Sequence, residues 1–246
     1  MQNALLVGLS RQVALARELD VVANNVANGT TTGFKARNSR FTEHLMPVAR
    51  ADGFQAPDQR LSYVIDAGTA LDLSTGPIER TGNPLDVAHR GDAFFAVQTS
   101  AGERYTRAGA FQLSAAGQLV TMDGQAVLGE NGPITLTPQD GPASISADGT
   151  VTTPAGERGR LKLVRFANPG SLRNEGANLF SSPTPPQPAG AEGRVESGAL
   201  ERSNVRPVVE MSRLIEVNRS YSTLATTVSR MDELRRTAIQ RLADTQ

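Results

Sequence analysis

The sequence contains no cysteine and no tryptophan, and only two of its 246 residues are histidines. Without cysteine the chain can form no disulfide, thiolate nucleophile, zinc ribbon or iron–sulfur cluster. His44 and His89 alone give a metal site or a proton relay little material. The 25 acidic and 25 basic residues cancel, so no basic surface for a nucleic-acid partner is indicated. We therefore expect no metal, no cofactor and no nucleic acid.

Long apolar runs are also missing. No run approaches the roughly 18 residues that would predict a membrane-spanning helix. The opening residues, MQNALLVGLSRQVALARELD, have no basic group before the apolar stretch, and Arg11 and Arg17 interrupt it early, unlike a Sec signal peptide. We expect no membrane insertion, and either a cytoplasmic protein or one exported without a cleaved leader.

Proline and glycine are confined to the middle of the chain. All 14 prolines lie between Pro47 and Pro207, no glycine follows Gly198, and Gly8 is the only glycine before Asn28. Because these residues interrupt regular structure, their absence predicts helices at both ends, and their abundance predicts strands and turns between them.

Both terminal segments repeat apolar residues at alternating spacings of three and four, which is the pattern of a coiled-coil seam. Asn28-Gly29 predicts the end of the first helix, and Ser203-Asn204 predicts an N-cap for a second helix over about 205–243. The first seam is Leu5, Leu9, Gln12, Ala16, Leu19, Ala23 and Val26. The second is Leu214, Val217, Tyr221, Leu224, Val228, Met231, Arg235, Ala238 and Leu242.

The middle of the chain alternates short β-prone pieces with a series of glycines seven to nine residues apart from Gly102 to Gly156, with Gly129 lying between two members of the series. Connections this short cannot hold crossover helices, so the strands are predicted to be antiparallel. The pieces are 94–97, 104–107, 118–121, 126–128, 134–136 and 161–164. Residues 181–188 (SSPTPPQP) predict a stiff proline-rich loop.

These patterns predict an α+β fold in which paired N- and C-terminal helices form a coiled-coil stem and the centre is an all-β antiparallel domain. We assign 1–35 and 200–246 to the helical domain, 36–75 to an irregular connector and 76–199 to the β domain. The stem exposes more apolar seam than one partner helix covers, which predicts self-association.

Enzyme motifs are missing from the sequence. There is no phosphate-binding Gly-x4-Gly-Lys loop, no Gly-x-Ser-x-Gly elbow, no His-Glu-x-x-His pair and no Gly-x-Gly-x-x-Gly fingerprint. Asp86, His89 and Asp92 would suit a β-domain hydrolase, but no nucleophile accompanies them. Arg107 is expected on the surface of the sheet, the alternative being a pair with a carboxylate. We predict a protein that is not an enzyme and has no small-molecule substrate.

An asparagine cluster ends the first helix, at Asn24, Asn25 and Asn28. Asparagine favours helix ends and turns, so Asn28 suits a C-cap, whereas Asn24 and Asn25 are not needed for one. They are either solvated polar positions or hydrogen-bonding groups directed at a neighbouring chain or the following loop.

Several stretches resemble one family. Residues 19–28 (LDVVANNVAN) with 31–35 (TTGFK) look like the N-terminal signature of bacterial flagellar rod and hook proteins. Residues 81–97 (TGNPLDVAHRGDAFFAV) and 200–205 (LERSNV) follow the family's order. Within it, the compact length and residues 145–151 (ISADGTV) are more similar to the proximal-rod subunit than to the distal-rod subunit.

The resemblance implies a structural protein of the basal body that passes unfolded through the flagellar type III export apparatus. The terminal helices would order on assembly into the inner tube of a rod that crosses the periplasm and transmits torque. The partners implied are further copies and neighbouring rod subunits, including the distal rod. A distal-rod or hook protein is the alternative, and a periplasmic hydrolase a distant one.

The residues predicted to form the assembly interface are Leu5, Leu9, Ala16, Leu19, Ala23, Asn24, Asn25, Val26, Asn28, Thr32, Gly33, Phe34, Ser203, Asn204, Leu214, Val217, Tyr221, Leu224, Val228, Met231 and Leu242.

Overall fold

A helix lies at each end of the computed structural model, which describes residues 2–45, 62–89, 91–190 and 193–243. Side chains are described for 7–42, 68–89, 91–190 and 193–241. Helix α1 spans Gln2–Ala27 and helix α2 spans Pro207–Ala243. Pro207 occupies the first turn of α2, where its missing N–H would have no helical partner.

Between the helices the described chain forms strands that are mostly two to six residues long. They are β1 (Arg37–Leu45), β2 (Ser62–Leu71), β3 (Ile78–Arg80), β4 (Val87–His89), β5 (Phe94–Thr99), β6 (Gly102–Thr106), β7 (Phe111–Leu113), β8 (Leu119–Thr121), β9 (Ala126–Gly129), β10 (Gly132–Pro133), β11 (Ser144–Ile145), β12 (Thr150–Thr153), β13 (Gly156–Arg160), β14 (Leu163–Arg165), β15 (Arg173–Gly176), β16 (Leu179–Ser181), β17 (Gln187–Pro188), β18 (Val195–Ser197) and β19 (Ala199–Glu201).

The largest sheet has ten strands and follows the order β15-β16-β6-β5-β9-β8-β7, with β10 beside β9 and β14 joining β5 to β17. A three-stranded sheet has the order β11-β12-β13, and β4 pairs with β18, β3 with β19 and β1 with β2. The pairings from β3 onward are antiparallel. The predicted α+β class, with a large antiparallel region between two helices, is therefore confirmed.

Strand β5 is the centre of the β region. Its run Phe94-Phe95-Ala96-Val97 is buried throughout, because successive side chains of a strand point to opposite faces and both faces are covered. Phe95 and Val97 pack in one apolar cluster, and Phe94 and Ala96 pack in another. A continuous apolar run in the sequence thus marks a strand between two cores.

Two stretches differ from the predicted layout. Residues 36–75, expected to be an irregular connector, contain β1 and β2; the part from 46 to 61 lies outside the described residues. The β-branched pair Val64-Ile65 favours a strand, but one short run is a weak signal. Residues 134–136 form no strand, although Thr135 makes an isolated bridge to Gln118.

The chain divides into two compact units, and each contains two or more separate segments. The first comprises 1–27, 37–70 and 206–246, and the second comprises 28–36 and 71–205. We call the second the β unit. It includes the short segments that directly follow α1 and directly precede α2. Neither described helix combines the length and apolar character needed to cross a bilayer.

Removal of the Phe95 ring tests the first core. Phe95 is 1% exposed and packs edge-on against Phe111 at 5.3 Å between ring centroids. Phe95→Ala is expected to lower the free energy of unfolding by about 3–5 kcal/mol, because a buried aromatic leaves a cavity. Urea unfolding measures this. The matched Leu113→Ala, at a half-exposed position, should cost well under half as much; equal losses would contradict the assignment of the core.

Candidate functional site

Helices α1 and α2 pack against each other in antiparallel directions. A Cβ added at Gly8 would lie 3.0 Å from Val228 Cγ2, and Gln12 Nε2 donates to the Tyr221 hydroxyl at 3.4 Å. As residue numbers rise along α1, the numbers of the α2 residues that it contacts fall, so the two helices run antiparallel. Because Gly8 has no side chain, the two helix backbones approach closely at this end of the pair.

An ion pair joins the middle of α1 to the first half of α2. Arg213 donates to Glu18 Oε1 from Nε at 3.0 Å and from Nη2 at 2.7 Å. The planar guanidinium makes two contacts with one carboxylate, which fixes orientation better than a single contact from lysine would. Both side chains are partly exposed, so the pair contributes little net stability and mainly sets alignment.

The predicted seam of α2 lies on its more covered face up to Val228. Val217 is 5% exposed, and Leu214, Tyr221 and Leu224 are half-buried like Val228. In α1 the most buried positions are Ala14, Val22 and Asn25, whereas Leu9 of the predicted seam is 49% exposed. Ala16, Leu19 and Val26 are half-buried, and Ala23 is exposed. The side chains of Leu5 and Leu242 lie outside those described.

Large apolar side chains remain exposed on both helices. Nine of the eleven exposed large apolar side chains among the described residues belong to α1 or α2. They are Leu9, Val13, Val208, Val209, Met211, Ile215, Met231, Leu234 and Ile239. The helix α2 has 37 residues against 26 in α1, so about 16 Å of it exceeds the length of its partner. Two paired helices therefore leave much apolar surface in water.

Asn25 ties the end of α1 to the two elements around it. Its Nδ2 donates to Arg37 O at 2.8 Å and to Glu210 Oε2 at 3.2 Å, and its Oδ1 accepts from Arg37 N at 2.9 Å. The side chain is 1% exposed. Of the two predicted roles, hydrogen bonding to the following segment is the one that Asn25 performs within the chain.

Asn28 and the threonines after it form a turn in the β unit. Thr31 donates from its backbone N to Asn28 O at 3.1 Å and from its hydroxyl to Asn28 Oδ1 at 3.2 Å. Thr32 O accepts from Asn178 Nδ2 at 3.1 Å. Asn24, by contrast, is exposed on α1. The three asparagines thus occupy three settings: Asn24 an exposed helix position, Asn25 a buried hydrogen-bonded position and Asn28 a turn.

The segment after α1 pairs with the segment before α2 inside the β unit. Gly33 N donates to Glu201 O at 2.7 Å, and Phe34, Ala36 and Val205 form a small buried apolar cluster. Gly33 has a φ of +68°, and a side chain there would collide with the backbone of Ala108. Only glycine combines this conformation with so close an approach.

Asn204 fastens the same two segments to the stretch between β2 and β3. Its Oδ1 accepts from Ala36 N at 2.7 Å, and its Nδ2 donates to Asp72 O at 2.8 Å and to Ser74 O at 3.2 Å. The neighbouring Ser203 hydroxyl accepts from Val205 N at 3.2 Å, which is the geometry of a local turn. Ser203 and Asn204, predicted as an N-cap, instead organise the approach to the helix.

Lys35 and Glu201 form a buried ion pair next to these contacts. Lys35 Nζ donates to Glu201 Oε1 and to Ser74 O, both at 2.6 Å, and Gly76 N donates to the same Oε1 at 2.8 Å. The side chains of the pair are 0% and 1% exposed. Burial lowers the pKa of Lys35 although the Glu201 carboxylate opposes that shift.

Arg107 adds a second buried cation. Its Nη1 lies 3.7 Å from Glu201 Oε2 and donates to Gly91 O at 2.5 Å, and its guanidinium carbon lies 4.6 Å from the centre of the Phe94 ring. The residue is 1% exposed, so the expected surface position of Arg107 is wrong and the alternative, a pair with a carboxylate, is correct. Arg107 directly follows β6, at a bend of the chain that the β core covers.

His89 is buried beside this cluster at the end of β4. It is 2% exposed, and burial, together with the charge of Arg107, lowers its pKa from 6.5 to about 4. Asp86 accepts hydrogen bonds from Thr81 at 2.6 Å and Asn83 at 3.0 Å, which close a turn. His89 and Asp92 line a cavity of about 360 Å³, but Asp86 does not. The predicted hydrolase trio therefore does not converge on one site.

No pattern in the sequence marks Lys35 and Glu201 as structural determinants. Both occur within the stretches that carry the family resemblance, but an isolated charge in a short segment is normally solvated. No group of three or more potential metal-ligating side chains meets in the parts of the chain that are described. The assignment of the predicted residues to an interface between subunits remains a prediction.

Three family models match the chain. The flagella basal body rod protein model matches residues 5–35, the flagellar hook protein FlgE/F/G D1 domain matches 88–153, and the flagellar basal body rod FlgEFG protein C-terminal model matches 196–241. The matched ranges include most of α1, the centre of the β unit and most of α2.

Curated relatives align over nearly the whole chain. The flagellar basal-body rod protein FlgF of Caulobacter vibrioides is 42% identical over 98% of both chains. FlgF of Mesorhizobium japonicum is 36% identical over 92% of this chain and 91% of its own. The flagellar basal-body rod protein FlgG of Agrobacterium fabrum is 33% identical over 94% of this chain and 96% of its own.

Replacement of Asn25 tests its role at the end of α1. Asn25→Ala removes three hydrogen bonds at a buried position and is expected to lower the free energy of unfolding by about 1–3 kcal/mol. Far-ultraviolet circular dichroism during urea titration measures the loss. Asn24→Ala, on the exposed side of the same turn, is the control; a larger loss in the control would refute the assignment.

His89 predicts a dependence of stability on pH. Its folded pKa of about 4 lies below its ordinary value, so the unfolded state binds more protons between pH 4 and 6.5. The free energy of unfolding is expected to fall by up to about 3 kcal/mol as the pH falls through that window. Chemical denaturation at several pH values measures the slope. His89→Gln should flatten it, and an unchanged slope in that variant would contradict the assignment.

Proposed function

The chain belongs to the family of flagellar basal-body rod proteins, and from this premise we propose that copies of it polymerise through α1 and α2 into the axial rod. Rod proteins are structural and are not enzymes, so the chain acts as a structural subunit of the flagellar basal body. It assembles with other rod proteins of the kind represented by FlgG.

The observation that supports assembly through the helices is the distribution of exposed apolar side chains. They concentrate on α1 and α2, whereas the β unit buries its apolar residues in its own clusters. Contiguous exposed apolar surface is stabilised when a partner covers it. We therefore assign the helix pair to the coiled-coil inner tube, and residues 76–199 to the outer layer.

The two helices expose different patches, which favours a contact of the head-to-tail type. One patch contains Leu9 and Val13 of α1, and the other contains Val208, Met211 and Ile215 of α2. When the patch of one copy binds the other patch of the next copy, every copy retains one free patch of each kind. Such a contact continues into an open helical polymer rather than a closed dimer.

The proposal also includes export of the chain and transmission of torque by the rod. The flagellar type III apparatus would pass the chain unfolded, and the missing cysteines mean that no disulfide opposes unfolding. Many parallel helix contacts per turn of the polymer would resist torsion. Because FlgF is the name of its more similar relatives above, we place the chain in the proximal rod, next to FlgG of the distal rod. A distal-rod or hook position is the alternative.

Deletion of the gene in the source bacterium tests the rod assignment. We expect cells that do not swim and basal bodies whose rod stops before its distal segment in electron micrographs, with both defects restored by the intact gene. Complete basal bodies in swimming cells would overturn the assignment. A rod that stops only after its distal segment has begun would favour the alternative.

Paired cysteines test the head-to-tail contact, since the parent chain has none. Val13→Cys/Ile215→Cys is expected to give a ladder of oxidised oligomers in isolated rods, because both patches are present on each copy. Each single variant is the matched control and should give few dimers. Strong dimers from a single variant would show that like patches meet, and would contradict the head-to-tail contact.

A further inference from the structure

We propose that Lys35, Glu201 and Arg107, which we call the register cluster, determine the register in which segments 28–36 and 199–205 lie on the β unit. Their role is to fix position, so that both helices of every copy continue from the same points. The consequence for the rod rests on the function proposed above. The positioning itself is a property of the single chain and is tested on it.

A contribution to stability does not by itself explain the composition of the register cluster. Two cations and one carboxylate are almost completely buried. Arg107 Nε and Nη2 and Glu201 Oε2 have no hydrogen-bond partner among the described residues. Apolar side chains of similar volume often replace buried ion pairs without loss of stability. Stability therefore does not explain why charges occupy this position.

The hydrogen bonds of the register cluster join three separate parts of the chain. Lys35 comes from the segment after α1, Glu201 from β19 before α2, and Ser74 and Gly76 from the stretch between β2 and β3. One carboxylate oxygen accepts from both Lys35 and Gly76. These bonds can all be made in only one alignment of the three segments.

A shift of one residue would break the arrangement at a high cost. Sliding segment 28–36 by one position would carry the Lys35 ammonium away from Glu201 and leave that carboxylate without its lysine in a dry interior. Arg107 would still lie near Glu201, but a buried charge that loses its hydrogen-bonded partner is strongly unfavourable, so the slipped alignment is disfavoured.

Apolar contacts do not favour one alignment of these segments over a shifted one as strongly as paired charges do. The neighbouring apolar cluster contains only Phe34, Ala36 and Val205, and such contacts have no preferred direction. Gly76 approaches the backbone of Arg202 so closely that a side chain would collide with it. The Asn204 hydrogen bonds and the pairing of β3 with β19 also favour one alignment, and the paired charges add a penalty for any other.

The alignment matters for a polymer because α1 ends at Ala27 and α2 begins at Pro207, only a few residues from the register cluster. In a helical polymer each copy repeats the same contacts. A subunit whose two helices continue from shifted points would present its two apolar patches at the wrong relative height, and growth would stop there.

The test uses the full chain with nitroxide labels on two introduced cysteines, at exposed Thr30 and at Ala116 in an exposed turn of the β unit. Pulsed electron resonance then gives the distribution of the distance between them. The variant is Lys35→Met/Glu201→Gln, which removes both charges but keeps an acceptor for Gly76 N. The control is Val151→Ala, which weakens a distant core position that is 0% exposed.

We expect one narrow distance population in the parent and in Val151→Ala. In the double variant we expect a broad distribution or a second population, while the β unit stays folded by circular dichroism. A narrow, unshifted distribution in the folded double variant would overturn the proposal. Loss of the β fold in that variant would also overturn it, because the register cluster would then act through stability.

The same variants in the deletion strain separate this proposal from the proposed function. We expect the double variant to be exported but to give fewer complete rods than Val151→Ala. If the parent gene itself proves unnecessary for rods while the distances change as expected, the rod assignment fails and the register cluster stands. Normal rods together with unchanged distances would refute the register cluster alone.

Discussion

The bond from Lys35 Nζ to Glu201 Oε1 is the contact on which the alignment of segments 28–36 and 199–205 within the β unit depends. It joins two residues that are 166 positions apart, one just after α1 and one just before α2. The Gly33 and Asn204 hydrogen bonds lie on either side of it and would not form in another alignment. The β unit therefore includes both of the short segments that lead to the helices, rather than beginning and ending with its sheets.

The β unit and the two helices differ in how completely they bury their apolar side chains. The β unit encloses its own apolar clusters around β5 and so needs no partner to complete a core. The helices, in contrast, leave apolar side chains such as Met211 and Leu234 in water. Under the function proposed above, a rod subunit would need both properties, because the folded β unit would stay the same while the exposed helices bind neighbouring copies.

Much of the fold follows from simple features of the sequence. Missing glycine and proline predicted the helices, and the run at Phe94 with regular glycines predicted an antiparallel region. The buried charges could not be predicted in this way, since Arg107 has the same local pattern as a surface residue. The buried face of α1 was predicted only approximately, since Val22 is buried and Leu9 is exposed. Apolar residues spaced alternately three and four apart do not define which neighbour covers them.

Hydrogen exchange on the dilute full chain, followed by mass spectrometry, tests the central claim most directly. The amides of Gly33, Ala36 and Gly76 donate to Glu201 O, Asn204 Oδ1 and Glu201 Oε1. We predict that they exchange as slowly as the amides of β5, and that α1 and α2 exchange faster. Exchange of residues 33–36 at the rate of the helices would show that these segments are not part of the β unit, and would contradict the account.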